Sequence, residues 1–145
     1  MSEVRRKEHR LKYYDYSKSN YYFITINTHD KKDIFGIIEK DKMILNDAGN
    51  KLNELIPTIF DNGKAEIVVF QIMPNHIHFI LEIKKDGAIK LSSAIGYFKS
   101  IATKELKIKP LWTRGYYDRV IRDEKEYNNE YNYIVNNPYR DKYKW

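Results

Sequence analysis

Short runs of aromatic and β-branched residues alternate along this chain with stripes of apolar residues at helical spacing. Residues 21–28 (YYFITINT) are such a run and read as a strand. After the polar break HDKKD, residues 34–39 form a second strand-like run, with a turn at 40–42. Over residues 45–61, Ala48, Leu52, Leu55, Ile56 and Ile59 fall at helical spacing behind a cap at Asn46 or Asp47. Pro57 inside that pattern is expected to kink the helix or end it early. Ala65–Met73 (AEIVVFQIM) and His76–Ile83 (HIHFILEI) read as two strands joined by the Pro74-Asn75 turn, a tight hairpin.

Leu91, Ala94, Ile95, Phe98, Ala102 and Leu106 make the buried stripe of a second helix, and residues 116–122 suggest another strand. Asp123 with Glu126 forms a D-x-x-E capping box that opens a third helix. That helix should stop near Asn137, because Pro138 disfavours helical geometry in the residue before it. The order β(β)–α–ββ–α–β–α predicts an α+β fold, an antiparallel ferredoxin-like sheet with helices packed on it. With no internal repeat, low-complexity tract or Pro/Gly linker, residues 1–145 read as one domain, and residues 1–12 as a basic, mobile arm.

Composition narrows the partners. The 26 Lys and Arg against 20 acidic residues leave a formal charge of +6, which favours a polyanion, though only weakly. The 13 tyrosines add rings on which unpaired bases can stack. The absence of cysteine excludes disulfides and thiolate metal sites. The N-terminus lacks the apolar core of a signal peptide, and no apolar run approaches the roughly 20 residues that span a bilayer, so a cytoplasmic protein with no membrane partner is expected.

Within MPNHIHFIL (73–81) stand two histidines, His76 and His78, separated by one isoleucine. Strand alternation puts both imidazoles on one face, close enough to share a metal ion. An HxH pair alone is more often a strand-end histidine, partly exposed, beside a hydrogen-bonded one. A metal site needs a third ligand, which without cysteine is Asp, Glu, Asn, Gln or water. In YNYIVNNP (131–138), Tyr133 and Asn137 are i and i+4 on a helix, so one face could deliver a phenol and an amide oxygen together. Spacing alone does not choose Tyr133 over Tyr131 or Tyr127, which an amphipathic helix would carry at its rim.

Together these residues resemble the single-tyrosine HUH transposases, in particular the REP-associated tyrosine transposases of bacteria. His76-Ile77-His78 is the His–hydrophobic–His motif on a central strand. YDYSKSNYYFITINT (14–28), IFGII (34–38), MILNDAG (43–49), FKS (98–100), LWTRGYYDRVIRDE (111–124) and YIVNNP (133–138) match in the family's order. The resemblance implies Tyr133 as nucleophile and His76, His78 and Asn137 as ligands of Mg²⁺ or Mn²⁺. Imidazole suits Mn²⁺ better than the harder Mg²⁺. Asn137, where some relatives carry Gln, is similar to the REP-associated group. The chain ends at Trp145, soon after the NP motif, whereas several relatives continue.

The resemblance further implies cleavage and rejoining of single-stranded DNA, from hairpin-forming repeats, through a 5′-phosphotyrosine. A phenol with an ordinary pKa of about 10 would need the ion's charge or a nearby base. The basic residues expected to follow the DNA backbone are Arg5, Arg6, Lys7 and Arg10 of the arm, Lys99, Arg114, Arg119 and Arg122. Related enzymes are monomers or homodimers. The competing readings are a non-catalytic single-stranded nucleic-acid-binding module, another HUH nuclease, and a hydrolase that uses water in place of Tyr133.

Overall fold

The computed structural model describes residues 5–6, 20–60, 63–84 and 89–136. Its strands are Arg5–Arg6 (β1), Asn20–Asn27 (β2), Gly36–Glu39 (β3), Lys42–Leu45 (β4), Ala65–Met73 (β5), His76–Ile83 (β6) and Tyr117–Ile121 (β7). Its helices are Asp47–Ile59 (α1), Leu91–Leu106 (α2) and Glu124–Asn136 (α3).

The main sheet is antiparallel in the order β1-β7-β2-β6-β5. β7-β2-β6-β5, with α1 between β2 and β5 and α2 between β6 and β7, is the βαββαβ arrangement of a ferredoxin-like fold. The HxH motif therefore lies on an inner strand, flanked by β2 and β5. Two additions modify the frame. A hairpin, β3–β4, is inserted before α1, and α3 is appended after β7.

β4 is a departure from the expected order, which had a turn at 40–42 leading into helix. The turn itself is two residues, Lys40 and Asp41, both at positive φ (52° and 63°), as a primed hairpin turn requires. That geometry sends Lys42–Leu45 back along β3 before the helix begins. α1 then starts at Asn46, whose side chain accepts from Gly49 N–H at 2.9 Å. A Cβ on Gly49 would stand 2.2 Å from the Phe35 carbonyl oxygen, so only glycine lets the helix seat against the hairpin base. Pro57 does not cut the helix before its last turn. It sits two residues from the end, where few bonds remain to be lost, and buried Leu52, Ile56 and Ile59 hold the helix to the core.

α3 opens as a modified capping box. Asp123 Oδ1 accepts from Glu126 N–H at 2.8 Å, and the Glu126 carboxylate accepts from Arg122 N–H at 2.8 Å, one residue outside the usual partner.

The large core lies on one sheet face. Tyr22, Ile24 and Ile26 of β2 and Ile77, Phe79, Leu81 and Ile83 of β6 pack there with α1 and α2. Strand alternation sends the intervening residues to the other face. There a smaller cluster of Phe23, Ile80, Ile121 and Ile134, flanked by Tyr21, Tyr127 and Tyr133, joins the sheet to α3. Among the described residues no helix is long and apolar enough to cross a membrane.

Candidate active site

The face under α3 is organised in rows set by strand register. Thr25 of β2 pairs with His78 of β6, which pairs with Gln71 of β5, while Thr25 also pairs with Tyr117 of β7. One row nearer the strand end, Asn27 and Met73 flank His76. On the opposite side Phe23 stands between Ile80 and Arg119.

Both histidines are buried, His78 completely and His76 with 5% exposure, and their ring centroids are 4.7 Å apart. Burying two imidazoles is costly unless their nitrogens have partners. Thr25 Oγ1 is hydrogen-bonded to His78 Nδ1 at 2.9 Å, and His76 Nδ1 donates to Asn75 Oδ1 at 2.7 Å. Phe23 stacks on His78 at 5.6 Å between centroids and fixes the plane of that ring. With each Nδ1 engaged, Nε2 is the atom each ring could offer to a metal, and both Nε2 atoms are buried. A partner on Nδ1 that fixes ring orientation is what a metal-ligating histidine needs, so the pair fits the imidazole part of a divalent-metal site. Among the described residues no group of three His, Asp or Glu side chains could complete such a site. Asn137, the expected third ligand, lies outside the described residues.

α3 brings its tyrosines to different places. Tyr133, half-buried, meets His78 edge-on with centroids 5.5 Å apart and rests on Phe23 at 6.0 Å. Tyr127 packs on Tyr21 at 5.0 Å, and Tyr131 is exposed. Tyr21 and Tyr127 border a cavity of about 440 Å³ with Asn20, Glu82 and Arg122, at the sheet end away from His76. Burial first, then the Glu82 carboxylate, pushes the Tyr21 phenol above its ordinary range; burial and then Tyr21 do the same for Tyr127.

An ionic contact fastens α3. Arg119 of β7 pairs with Glu130, its guanidinium 5.1 Å from the centre of the Phe23 ring, and side-chain exposure is only 15% and 11%. Glu130 precedes Tyr133 by one helical turn, so the pair sets the height of the tyrosine above the sheet.

The other basic residues expected to meet DNA are dispersed. Lys99 Nζ donates to the Thr113 and Gly115 carbonyls at 3.0 and 2.7 Å, holding the loop before β7. Arg114 is exposed in that loop, and Arg122 is exposed at the far end of β7. Arg5 and Arg6 pair through their backbones with Asp118 and Tyr117, while Lys7 and Arg10 lie outside the described residues.

Sequence reasoning missed Thr25, Asn75 and Glu130. Asn75 adjoins His76 and could have been suspected. Thr25 is 53 residues from its partner and becomes visible only through the register of β2 with β6.

A ferredoxin-like sheet that carries paired histidines on an inner strand, with a tyrosine-bearing helix laid across them, defines the class of protein. Residues 25–137 match the family model of IS200-like transposases, and the chain belongs to this family of DNA-transposing enzymes. An uncharacterized protein of Haemophilus influenzae is 38% identical, over 92% of this chain and 88% of its own length. A second protein of that organism, provisionally named a REP-associated tyrosine transposase, is 24% identical over 89% of this chain and 76% of its own. The solved structure of a REP-associated tyrosine transposase bound to a REP hairpin superposes with a TM-score of 0.67. It is 21% identical and covers 94% of this chain and 75% of that one.

Proposed function

We propose that this transposase cleaves and rejoins single-stranded DNA by transesterification at Tyr133. The observation that carries the reading is the approach of the Tyr133 ring to His78, 5.5 Å between centroids, on the face where both imidazoles are held through Nδ1. His76 and His78 would bind Mg²⁺ or Mn²⁺ through Nε2, with Asn137, four residues beyond Tyr133 in sequence, as third ligand. Such an ion, when bound, supplies Lewis-acid polarisation of the scissile phosphate.

The chain's own residues do the rest. The Tyr133 hydroxyl loses its proton to solvent and its oxygen attacks the phosphorus. A tyrosyl–phosphate bond forms as the bond from phosphorus to the 3′ oxygen breaks, and the departing oxygen takes a proton to become a 3′-hydroxyl. One phosphoester replaces another, so a second 3′-hydroxyl can reverse the step without ATP. Arg119 and Glu130 keep Tyr133 beside His78, and Phe23 packs against both of those rings. The docking of α3 on its own sheet supports a tyrosine that acts within one chain.

The hairpin held by the similar solved transposase supports a repeat hairpin as the DNA taken here. The test is a labelled stem-loop with a single-stranded flank, incubated with the protein and Mn²⁺ and run on a denaturing gel. A protein–DNA conjugate is expected, lost in Tyr133→Phe and in His76→Ala. Binding without a conjugate would leave a non-catalytic module, and a conjugate that survives Tyr133→Phe would move the nucleophile elsewhere.

A further inference from the structure

The residues that flank the imidazoles on β2 and β5 are Thr25 and Gln71 beside His78, and Asn27 and Met73 beside His76. Three of these four are accounted for. Thr25 bonds His78, the Gln71 amide donates to the Ile72 carbonyl at 3.3 Å, and Met73 is buried and apolar. Asn27 differs. It is half-buried, and among the described residues nothing hydrogen-bonds to its side-chain amide. Asparagine is depleted in strands, yet here it interrupts the run YYFITINT. A turn does not explain it, because extended pairing continues through Thr28, which bridges to Trp112. The Asn27 backbone is held from both sides: the register pairs it with His76, and Thr113 N–H donates to its carbonyl at 3.0 Å. An amide fixed that firmly beside the site, with its donors uncommitted, is placed to meet something the site takes up.

We infer that the Asn27 amide is a catalytic donor, hydrogen-bonding a non-bridging oxygen of the scissile phosphate as Tyr133 attacks. The inference rests on the proposed function for the presence of that phosphate. Side chains in register on one sheet face have Cβ atoms about 5 Å apart, so the amide lies within reach of a group that sits over His76. An asparagine is shorter than a histidine, so its amide stands nearer the sheet than the Nε2 atoms, and an N–H bond spans the remaining gap to an oxygen held over them. Tyr133 comes from the Phe23 side of His78 and Asn27 lies on the other, so nucleophile and donor meet one phosphate from different directions. As the phosphoester exchanges, charge on the non-bridging oxygens shifts, and a donor already fixed in place stabilises it without reorganising. The amide supplies two N–H donors and, being neutral, brings no charge of its own.

The test follows conjugate formation in a single turnover with the full-length protein, together with Mn²⁺ binding by calorimetry in the absence of DNA. Asn27→Ala is expected to slow conjugation about 100-fold, the loss typical of one such donor, with Mn²⁺ affinity unchanged. Asn27→Asp, which keeps the shape but accepts where a donor is needed, should slow it at least as much. An unchanged rate in Asn27→Ala overturns the inference. So does a matching loss of Mn²⁺ affinity, which would make Asn27 a ligand of the ion instead. A merely structural role is separated by DNA carrying sulfur in place of one non-bridging oxygen, each diastereomer taken alone. Sulfur is a weak hydrogen-bond acceptor, so one diastereomer should slow the wild type about tenfold more than it slows Asn27→Ala. Equal slowing of both proteins by both diastereomers overturns the contact. A wild type that forms no conjugate overturns the proposed function and this inference together, whereas a conjugate formed equally well by Asn27→Ala overturns the role of Asn27 alone.

Discussion

One sheet presents two unlike faces built from alternate residues of the same strands. On β6, Ile77, Phe79, Leu81 and Ile83 enter the large core under α1 and α2, while His76, His78, Ile80 and Glu82 turn toward α3. On β2, Tyr22, Ile24 and Ile26 go one way and Phe23, Thr25 and Asn27 the other. The first face is close-packed hydrocarbon and supplies stability. The second holds a thin apolar cluster, two imidazoles, a threonine and the Arg119–Glu130 ion pair, each polar group positioned by a partner. Stability and candidate chemistry are thus separated by a single step along each strand, and neighbouring substitutions should have different consequences.

The largest effect tests the polar face. His78→Ala should reduce the protein–DNA conjugate to background while costing less in unfolding than the neighbouring Phe79→Ala; an equal or larger cost would show that this face carries as much stability as the other. One residue on, Phe79→Ala should leave a cavity and cost about 3–5 kcal/mol in denaturant unfolding. A cost below about 1 kcal/mol would contradict the division between the faces. Arg119→Ala strands the Glu130 carboxylate under α3 and should cost about 2 kcal/mol, below the figure for a fully buried pair because both side chains keep some exposure. Hydrogen exchange should show the loss concentrated in α3, and protection lost evenly across β2 and β6 would break the comparison.

Smaller effects sharpen it. Thr25→Val keeps the shape but removes the hydroxyl from His78 Nδ1. It should cost about 1 kcal/mol and weaken Mn²⁺ binding about tenfold, measured by calorimetry. Unaltered Mn²⁺ affinity would separate Thr25 from the metal site. The smallest effect is in alkali. Tyr21 and Tyr127 have folded-state pKa values raised above the unfolded value, so the neutral phenol is favoured by folding. Their contribution is complete below about pH 10 and fades as pH rises through the folded values. Tyr21→Phe should flatten that decline in stability, and an identical alkaline profile would show that Tyr21 is not its source.

Much of this was legible in the chain. The hairpin of β5 and β6, the apolar stripe of α2 and the capping box of α3 each depend on residues close in sequence, where spacing and turn chemistry decide the outcome. The HxH alternation likewise put both imidazoles on one face without knowledge of the fold. β4 escaped because its short run leads directly into a helix, and only the positive φ of Lys40 and Asp41 shows that the chain doubles back first.

What spacing could not decide was which tyrosine of α3 meets a histidine, since Tyr127, Tyr131 and Tyr133 all fit an amphipathic helix. The choice depends on how α3 lies across the sheet, which Ile134 and the Arg119–Glu130 pair fix through contacts between separate elements. The same holds for Thr25 beside His78, brought together by strand register across 53 residues. Local chemistry determined the elements and their faces. Only long-range packing, in which distant side chains must share one buried space, decided which groups touch.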